Sequence, residues 1–130
     1  MHRFSLIRGT WAILKLPPGD PIPAWAAGAT GFVSITRTAE ELSIIAPREV
    51  IPAAIEAPVD WSLIKVHGPF SFAAVGVLAS FGTPLANAGI SIIAVSTYDT
   101  DYVLVRSGDE GAARQCLIVA GHTYAPSEGA

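Results

Sequence analysis

Two acidic residues and a glycine-proline turn have the clearest potential for chemistry in this sequence. Asp99 and Asp101 lie in the hydroxyl-rich segment Ser96-Thr97-Tyr98-Asp99-Thr100-Asp101, and a carboxylate there suits an ammonium group. The turn His67-Gly68-Pro69 precedes a predicted helix, whose first N–H groups favour a carboxylate. A ligand that carries both groups, an amino acid, would match such a site.

Each of these candidates also has a purely structural interpretation. An aspartate at a strand start, such as Asp101, often accepts hydrogen bonds from the backbone of its own turn, and Asp99 suits a position facing solvent. The hydroxyls of Ser96 and Thr97 are as well suited to closing the turn as to contacting a ligand. The remaining candidates have structural roles as turn glycines, a core aromatic and a loop histidine (Gly68, Gly89, Phe70 and His67).

Catalytic chemistry is poorly supported by the sequence. A nucleophile needs a base beside it, and the three histidines form no recognisable pairing with a serine or with the single cysteine, Cys116. That cysteine lies on an apolar face of a predicted helix, where it behaves as a small hydrophobic residue. Clustered metal ligands, a GxGxxG segment and a P-loop are all missing from the sequence. We therefore expect no enzyme activity, catalytic residue, metal or cofactor.

The second half of the chain has the periodicities that would position such a site. Trp61–Val66 alternates like a half-buried strand, and apolar residues then recur at helical steps from Phe70 to Ala88. Gly89 is a natural helix stop. The pattern then predicts strands at Ile90–Val95 and Asp101–Arg106, a helix at Asp109–Ala120 and a short strand at His122–Ala125. The order βαββαβ is the ferredoxin-like arrangement of an α+β fold.

The first half looks like a diverged copy of the second. Trp11–Leu16 is similar to Trp61–Val66, and Ser34–Ile45 aligns without gaps with Ala94–Val105. We predict that residues 1–60 form a first, trimmed unit and residues 61–130 a second. The predicted elements of the first unit are strands at Phe4–Ile7, Trp11–Leu16, Phe32–Thr36 and Leu42–Ala46, a helical turn at Ala24–Ala27 and a helix at Arg48–Glu56.

Composition excludes several classes of partner. Hydrophobic residues make up 51% of the chain and charged residues 15%, which argues for a folded domain. The net charge of −3, with only eight scattered basic residues, argues against nucleic acid. The uncharged stretch Val66–Tyr98 is interrupted by glycines and prolines, so we do not expect it to cross a membrane. A single cysteine and the lack of a signal peptide indicate the cytoplasm.

Three segments resemble the ACT domain family, especially small tandem members related to aspartokinase regulatory domains and cytosolic arginine sensors. They are Leu85–Ile92, the segment Ser96–Val105 and Ala120-Gly121-His122. The resemblance implies a ferredoxin-like fold and a small-molecule ligand, commonly an amino acid. Transferred to this sequence, the family site would comprise His67, Gly68, Phe70, Asn87, Ala88, Gly89, Ile90, Thr97, Tyr98, Thr100 and Asp101.

The leading hypothesis is therefore a regulatory sensor without catalytic activity, built from two tandem units that bind an amino acid and signal to a protein partner. A homodimer is also compatible with the apolar composition. The alternative hypothesis is a protein-protein interaction or oligomerisation module with no ligand, because ferredoxin-like sheets pair through exposed edges and faces.

Overall fold

The computed structural model describes residues 2–68 and 76–126, which form one mixed α/β structure. The described residues contain seven strands and three helices, with a 3-10 turn after β3 and another after β6. Their bounds are β1 Arg3–Leu16, α1 Ala24–Ala27, β2 Ser34–Arg37, β3 Leu42–Pro47, the 3-10 turn Arg48–Val50, β4 Trp61–Val66, α2 Val77–Asn87, β5 Ile92–Ser96, β6 Asp101–Arg106, the 3-10 turn Ser107–Asp109, α3 Glu110–Val119 and β7 Thr123–Tyr124.

The second half has the predicted order βαββαβ, formed by β4, α2, β5, β6, α3 and β7. The bounds of β4 and β6 coincide with the predicted ones, and these two strands are neighbours in the sheet, as expected for the first and third strands of the unit. The predicted start of the first helix, at Pro69 and Phe70, lies outside the described residues, but α2 begins only at Val77, because Gly76 before it has a left-handed φ of +78° that no helix continues through. The prediction of a ferredoxin-like fold is confirmed.

One seven-stranded sheet runs through both halves of the chain in the order β2-β3-β1-β4-β6-β5, with β7 added in parallel beside the start of β1. The amino-terminal half of β1 pairs with β4, and its carboxy-terminal half, Trp11–Leu16, pairs with β3. The sheet curls, so that residues of the two outermost strands, β2 and β5, line the same cavities.

Two predictions for the first half are wrong. The separate strands Phe4–Ile7 and Trp11–Leu16 are one strand with an irregularity between Ile7 and Trp11, where Gly9 has a φ of +112°. A glycine accommodates this backbone without the strain that a side chain would cause. The predicted helix at Arg48–Glu56 is a 3-10 turn of three residues, Arg48–Val50, because Pro52 cannot donate the hydrogen bond that would continue it.

Apolar side chains form three clusters on the two faces of the curled sheet. The first packs α2 and α3 onto β4, β6 and the start of β1, and it includes the fully buried Phe4 and Phe81. The second packs α1 and the residues after β3 onto the other end of β1. The third lies on the opposite, concave face around Trp11, Leu63 and Leu104. Among the described residues, no helix is long and apolar enough to cross a bilayer.

Candidate functional site

The turn between β5 and β6 is held against the end of β4. Asp101 pairs across the sheet with both Val66 and Ser96. The Thr100 hydroxyl donates to the Val66 carbonyl, and the Thr97 N–H donates to the Thr100 carbonyl over 2.8 Å. The Ser96 hydroxyl donates to Oδ1 of Asp101 over 2.6 Å. The bend before Tyr102 therefore lies beside the bend after Val66, as an amino-acid site of the predicted kind requires.

A cavity of about 810 Å³ lies between α2 and β5 and extends to this turn; we name it the α2 pocket. Its volume is within the usual range for small-molecule sites, roughly 300–1,000 Å³. Its wall combines the first turns of α2, one face of β5 and the hydroxyl-rich turn. The described lining residues are Gly76, Val77, Leu78, Ala79, Gly82, Thr83, Ala86, Ile92, Ala94, Ser96, Thr97, Tyr98, Thr100 and Asp101.

The start of α2 brings backbone N–H groups to the wall of the pocket. The first helical hydrogen bond is donated by the Ser80 N–H to the Gly76 carbonyl, over 2.9 Å. The three preceding N–H groups, at residues 77–79, have no acceptor within the helix, and all three residues line the pocket. Gly76 precedes the helix at a φ of +78° and supplies no side chain to cap them. This wall favours an anionic group.

The β5–β6 turn contributes the opposite charge. Asp101 is the one charged side chain among the described lining residues, and it is half-buried. The hydroxyls of Ser96, Thr97 and Thr100 line the same pocket, and each already donates its proton within the turn or to the Val66 carbonyl, so each can only accept a hydrogen bond from a ligand. The α2 pocket therefore combines N–H donors on the helix side with a carboxylate on the turn side.

The structure brings together only part of the predicted site. Thr97, Tyr98, Thr100 and Asp101 all line the α2 pocket. His67 and Gly68 follow β4 at the same end of the sheet but are not among its described lining residues. Phe70 lies outside the described residues.

The other four predicted residues lie at the far end of α2. Asn87 ends the helix, Ala88 follows it, and Gly89 has the left-handed φ of +75° that permits the chain to turn into β5. Ile90 is buried in the first cluster, and its N–H donates to the Leu85 carbonyl. These residues do not line the α2 pocket, because β5 runs from this end to Ser96 and the Gly89–Ile90 junction therefore lies at the opposite end of β5 from the hydroxyl-rich turn.

Several pocket residues were missed in the sequence. Ala79, Gly82, Thr83 and Ala86 recur at steps of three and four on α2, and all are small. They lie on a side of the helix different from the buried stripe that includes Phe81 and Leu85. A row of small residues beside an apolar stripe was the signal that could have found this wall.

His67 follows β4 and lies in a positively charged environment. Its N–H donates to the Arg3 carbonyl over 2.9 Å, and its Nε2 lies 2.6 Å from the Ser5 hydroxyl, which itself donates to the Ala125 carbonyl. Partial burial, together with the positive charges of Arg3 and Lys65, lowers the pKa of His67 from its usual 6.5.

This lowered pKa predicts a loss of stability in acid. The unfolded chain binds the His67 proton more tightly than the folded chain, so the free energy of unfolding should fall as the pH drops below about 6.5. We expect His67→Gln to reduce the slope of stability against pH in that range. Urea unfolding of both proteins between about pH 8 and pH 5 measures it, and equal slopes would contradict the assignment.

Each half of the chain matches a different family of known proteins. A family model described as the ACT domain matches residues 56–118, and a second, described as an N-terminal domain, matches residues 9–54. The crystal structure of protein Atu0741 from Agobacterium tumefaciens is 39% identical, covers 98% of this chain and 94% of that one, and superimposes with a TM-score of 0.90. None of the curated proteins matches the sequence.

Two more distant structures share the fold. One is VC0802 from Vibrio cholerae, a protein of unknown function described as a possible transport protein. It is 24% identical, with coverage of 91% and 88% and a TM-score of 0.74. The other is the aspartokinase alpha and beta subunits, at 19% identity, with coverage of 90% and 95% and a TM-score of 0.59. At these identities the likeness concerns the fold alone.

Proposed function

Because this chain belongs to the ACT domain family, we propose that it is a regulatory module without catalytic activity that binds an amino acid in the α2 pocket. ACT domains are regulatory domains and generally bind small molecules. A protein partner that responds to the occupied state, and a cytoplasmic location, belong to the same proposal and are supported by the family and by the single cysteine, Cys116.

The proposal depends most on one observation, the complementary charge of the two pocket walls. The carboxylate of an amino acid suits the N–H groups of residues 77–79, where the positive end of the helix dipole adds to their attraction. The ammonium group suits Asp101 and the hydroxyls around it. The side chain of the ligand would contact Gly82, Ala86 and Ile92, which form the apolar part of the wall.

Thermal unfolding in the presence of amino acids tests the proposal directly. A ligand at 100 times its dissociation constant stabilises the folded state by about 2.7 kcal/mol, which raises the melting temperature by several degrees. We expect an amino acid to raise it, and expect no comparable rise with the matching 2-oxo acid or amine, since each lacks one of the two charged groups. A panel of all common amino acids without any shift would contradict the proposal.

Asp101→Asn tests whether the Asp101 carboxylate contacts the ammonium group of the ligand. The amide keeps an acceptor for the Ser96 hydroxyl but removes the charge, and a charge-assisted hydrogen bond contributes about 1.5–3 kcal/mol. We expect the amino acid to bind about tenfold more weakly or worse, measured by calorimetry. Asp99→Asn is the matched control, because Asp99 is exposed in the same turn and is not among the described lining residues. Equal effects of the two substitutions would exclude a direct role for Asp101.

A further inference from the structure

A second cavity lies on the concave face of the sheet, opposite α2 and α3. It measures about 500 Å³ and is enclosed by β4, β5 and β6 on one side and by the segment that leads into β2 on the other; we name it the concave pocket. Alternation along β4 directs Leu63 and Lys65 to this face, while Ile64 and Val66 are buried beneath the helices. The concave pocket is therefore separated from the α2 pocket by the thickness of the sheet.

The floor of the concave pocket is apolar. Ile7, Leu63 and Val95 contribute aliphatic side chains, and Phe32 packs against Tyr102 with 4.7 Å between the ring centroids. The loop that carries Phe32 is tied to the sheet, because Trp11 Nε1 donates to the Phe32 carbonyl over 3.0 Å. The floor of the concave pocket is thus held in place by the core and suits an aliphatic or aromatic group.

The rim of the concave pocket is polar and positively charged. Lys65 is the one charged side chain among its described lining residues, and it is half-buried. In the sheet it is flanked by Ser5 on β1 and by Tyr102 on β6. The ion pair found in the described part of the chain, between Arg48 and Asp60, does not involve it. Lys65 thus has no ion-pair partner among residues 2–68 and 76–126, and an ammonium group held beside apolar surface in this way favours an anion.

We propose that the concave pocket is a second ligand site, which binds a monocarboxylate with an apolar body and no ammonium group. The carboxylate would contact Lys65 and the Tyr102 hydroxyl, and the body would lie between Phe32 and Leu63. This specificity is the reverse of that of the α2 pocket, where the charged residue is an acid. The proposal does not depend on amino-acid binding in the α2 pocket.

Ser96 and Thr97 line both pockets, so the two sites share the end of β5.

Three ligands of one carbon skeleton test the site. Isocaproate carries a carboxylate and an apolar body, leucine adds an ammonium group, and isocaproamide removes the charge. Titration of the isotope-labelled full chain with isocaproate, followed by NMR, should shift the amide signals of Phe32, Leu63 and Val95, whereas isocaproamide should not. Lys65→Met keeps the apolar stem and removes the charge, and should weaken isocaproate binding about tenfold or more. Lys65→Arg should retain it.

Lys15→Met is the matched control, because Lys15 is the exposed lysine at the equivalent position of the first half and does not line the pocket. Three results would each overturn the proposal. Isocaproate could fail to shift any signal up to its solubility limit, it could shift signals of Ala79 and Gly82 in the α2 pocket instead, or Lys65→Met could bind it as tightly as the unmodified protein.

Discussion

Gly82→Leu is expected to weaken amino-acid binding by up to about 100-fold without lowering the stability of the free protein. Gly82 lies in α2 and lines the α2 pocket. A Cβ built there meets Ile92 Cδ1 at 3.6 Å, which is ordinary contact, and the rest of a leucine side chain would occupy pocket space that the ligand needs. Overpacking a well-fitted site typically costs about 1–3 kcal/mol, which corresponds to roughly 5- to 150-fold in affinity.

The same substitution improves the helix. Glycine inside a helix is about 0.8–1 kcal/mol less favourable than alanine, and leucine is close to alanine. The melting temperature of the free protein should therefore stay constant or rise, while the shift caused by the ligand is lost. Gly82→Ala should give an intermediate loss of binding.

Gly111→Leu in α3 is the control for Gly82→Leu, because a Cβ there has no atom within 4 Å and the residue does not line the α2 pocket. It should gain helix stability and keep full binding. If Gly82→Leu binds the amino acid as well as the unmodified chain, the ligand does not lie between α2 and β5.

Local sequence patterns were sufficient to predict most of the secondary structure of the second half of the chain. The predicted β4 and β6 have the observed bounds, and helical spacing gave α3 to within one residue at each end. The helix α3 buries Ala113 and Leu117 on one face, as its spacing predicts. The strands β4 and β6 are buried on both faces rather than half-buried, so their bounds were marked by the turn residues that flank two short apolar runs. Gly89 similarly marked the end of α2, since its positive φ suits glycine.

The shared strand β1 could not be predicted in this way. Gly9 interrupts the alternation between Ile7 and Trp11, and a local pattern cannot distinguish a bulge within one strand from a turn between two. The pairing of β7 with β1 depends on residues far apart in the sequence, for example Phe4 and Tyr124. The periodicity of neither segment predicts that β7 pairs with β1.

The sequence pointed to the turn that lines the α2 pocket but not to the helix that forms its other wall. The hydroxyl-rich segment pointed to Thr97, Thr100 and Asp101, which do line the α2 pocket. Helical periodicity tells which face of α2 is buried, but it does not tell which end of the helix approaches the turn. Asn87 and Gly89 were therefore grouped with residues that lie at the opposite end of β5.

Phe4→Ala and Leu14→Ala, at the two ends of β1, are each expected to destabilise both halves of the protein. Phe4 is fully buried in the first cluster, where it meets Phe81 edge-on with 6.1 Å between the ring centroids. Leu14 is buried in the second cluster. Such substitutions cost about 3–5 kcal/mol for phenylalanine and about 2–5 kcal/mol for leucine, a large part of the 5–15 kcal/mol of a typical domain.

Because β1 belongs to both halves, the loss of its side-chain contacts in either cluster should lower the stability of both halves. We expect a single urea transition for each variant, with tryptophan fluorescence and far-ultraviolet circular dichroism coinciding and with an unchanged dependence on urea. Val119→Ala, at an exposed position of α3, should change stability by less than about 0.5 kcal/mol. Two separate transitions in the Phe4→Ala variant would instead mean that the halves unfold independently and that the sheet does not join them into one cooperative unit.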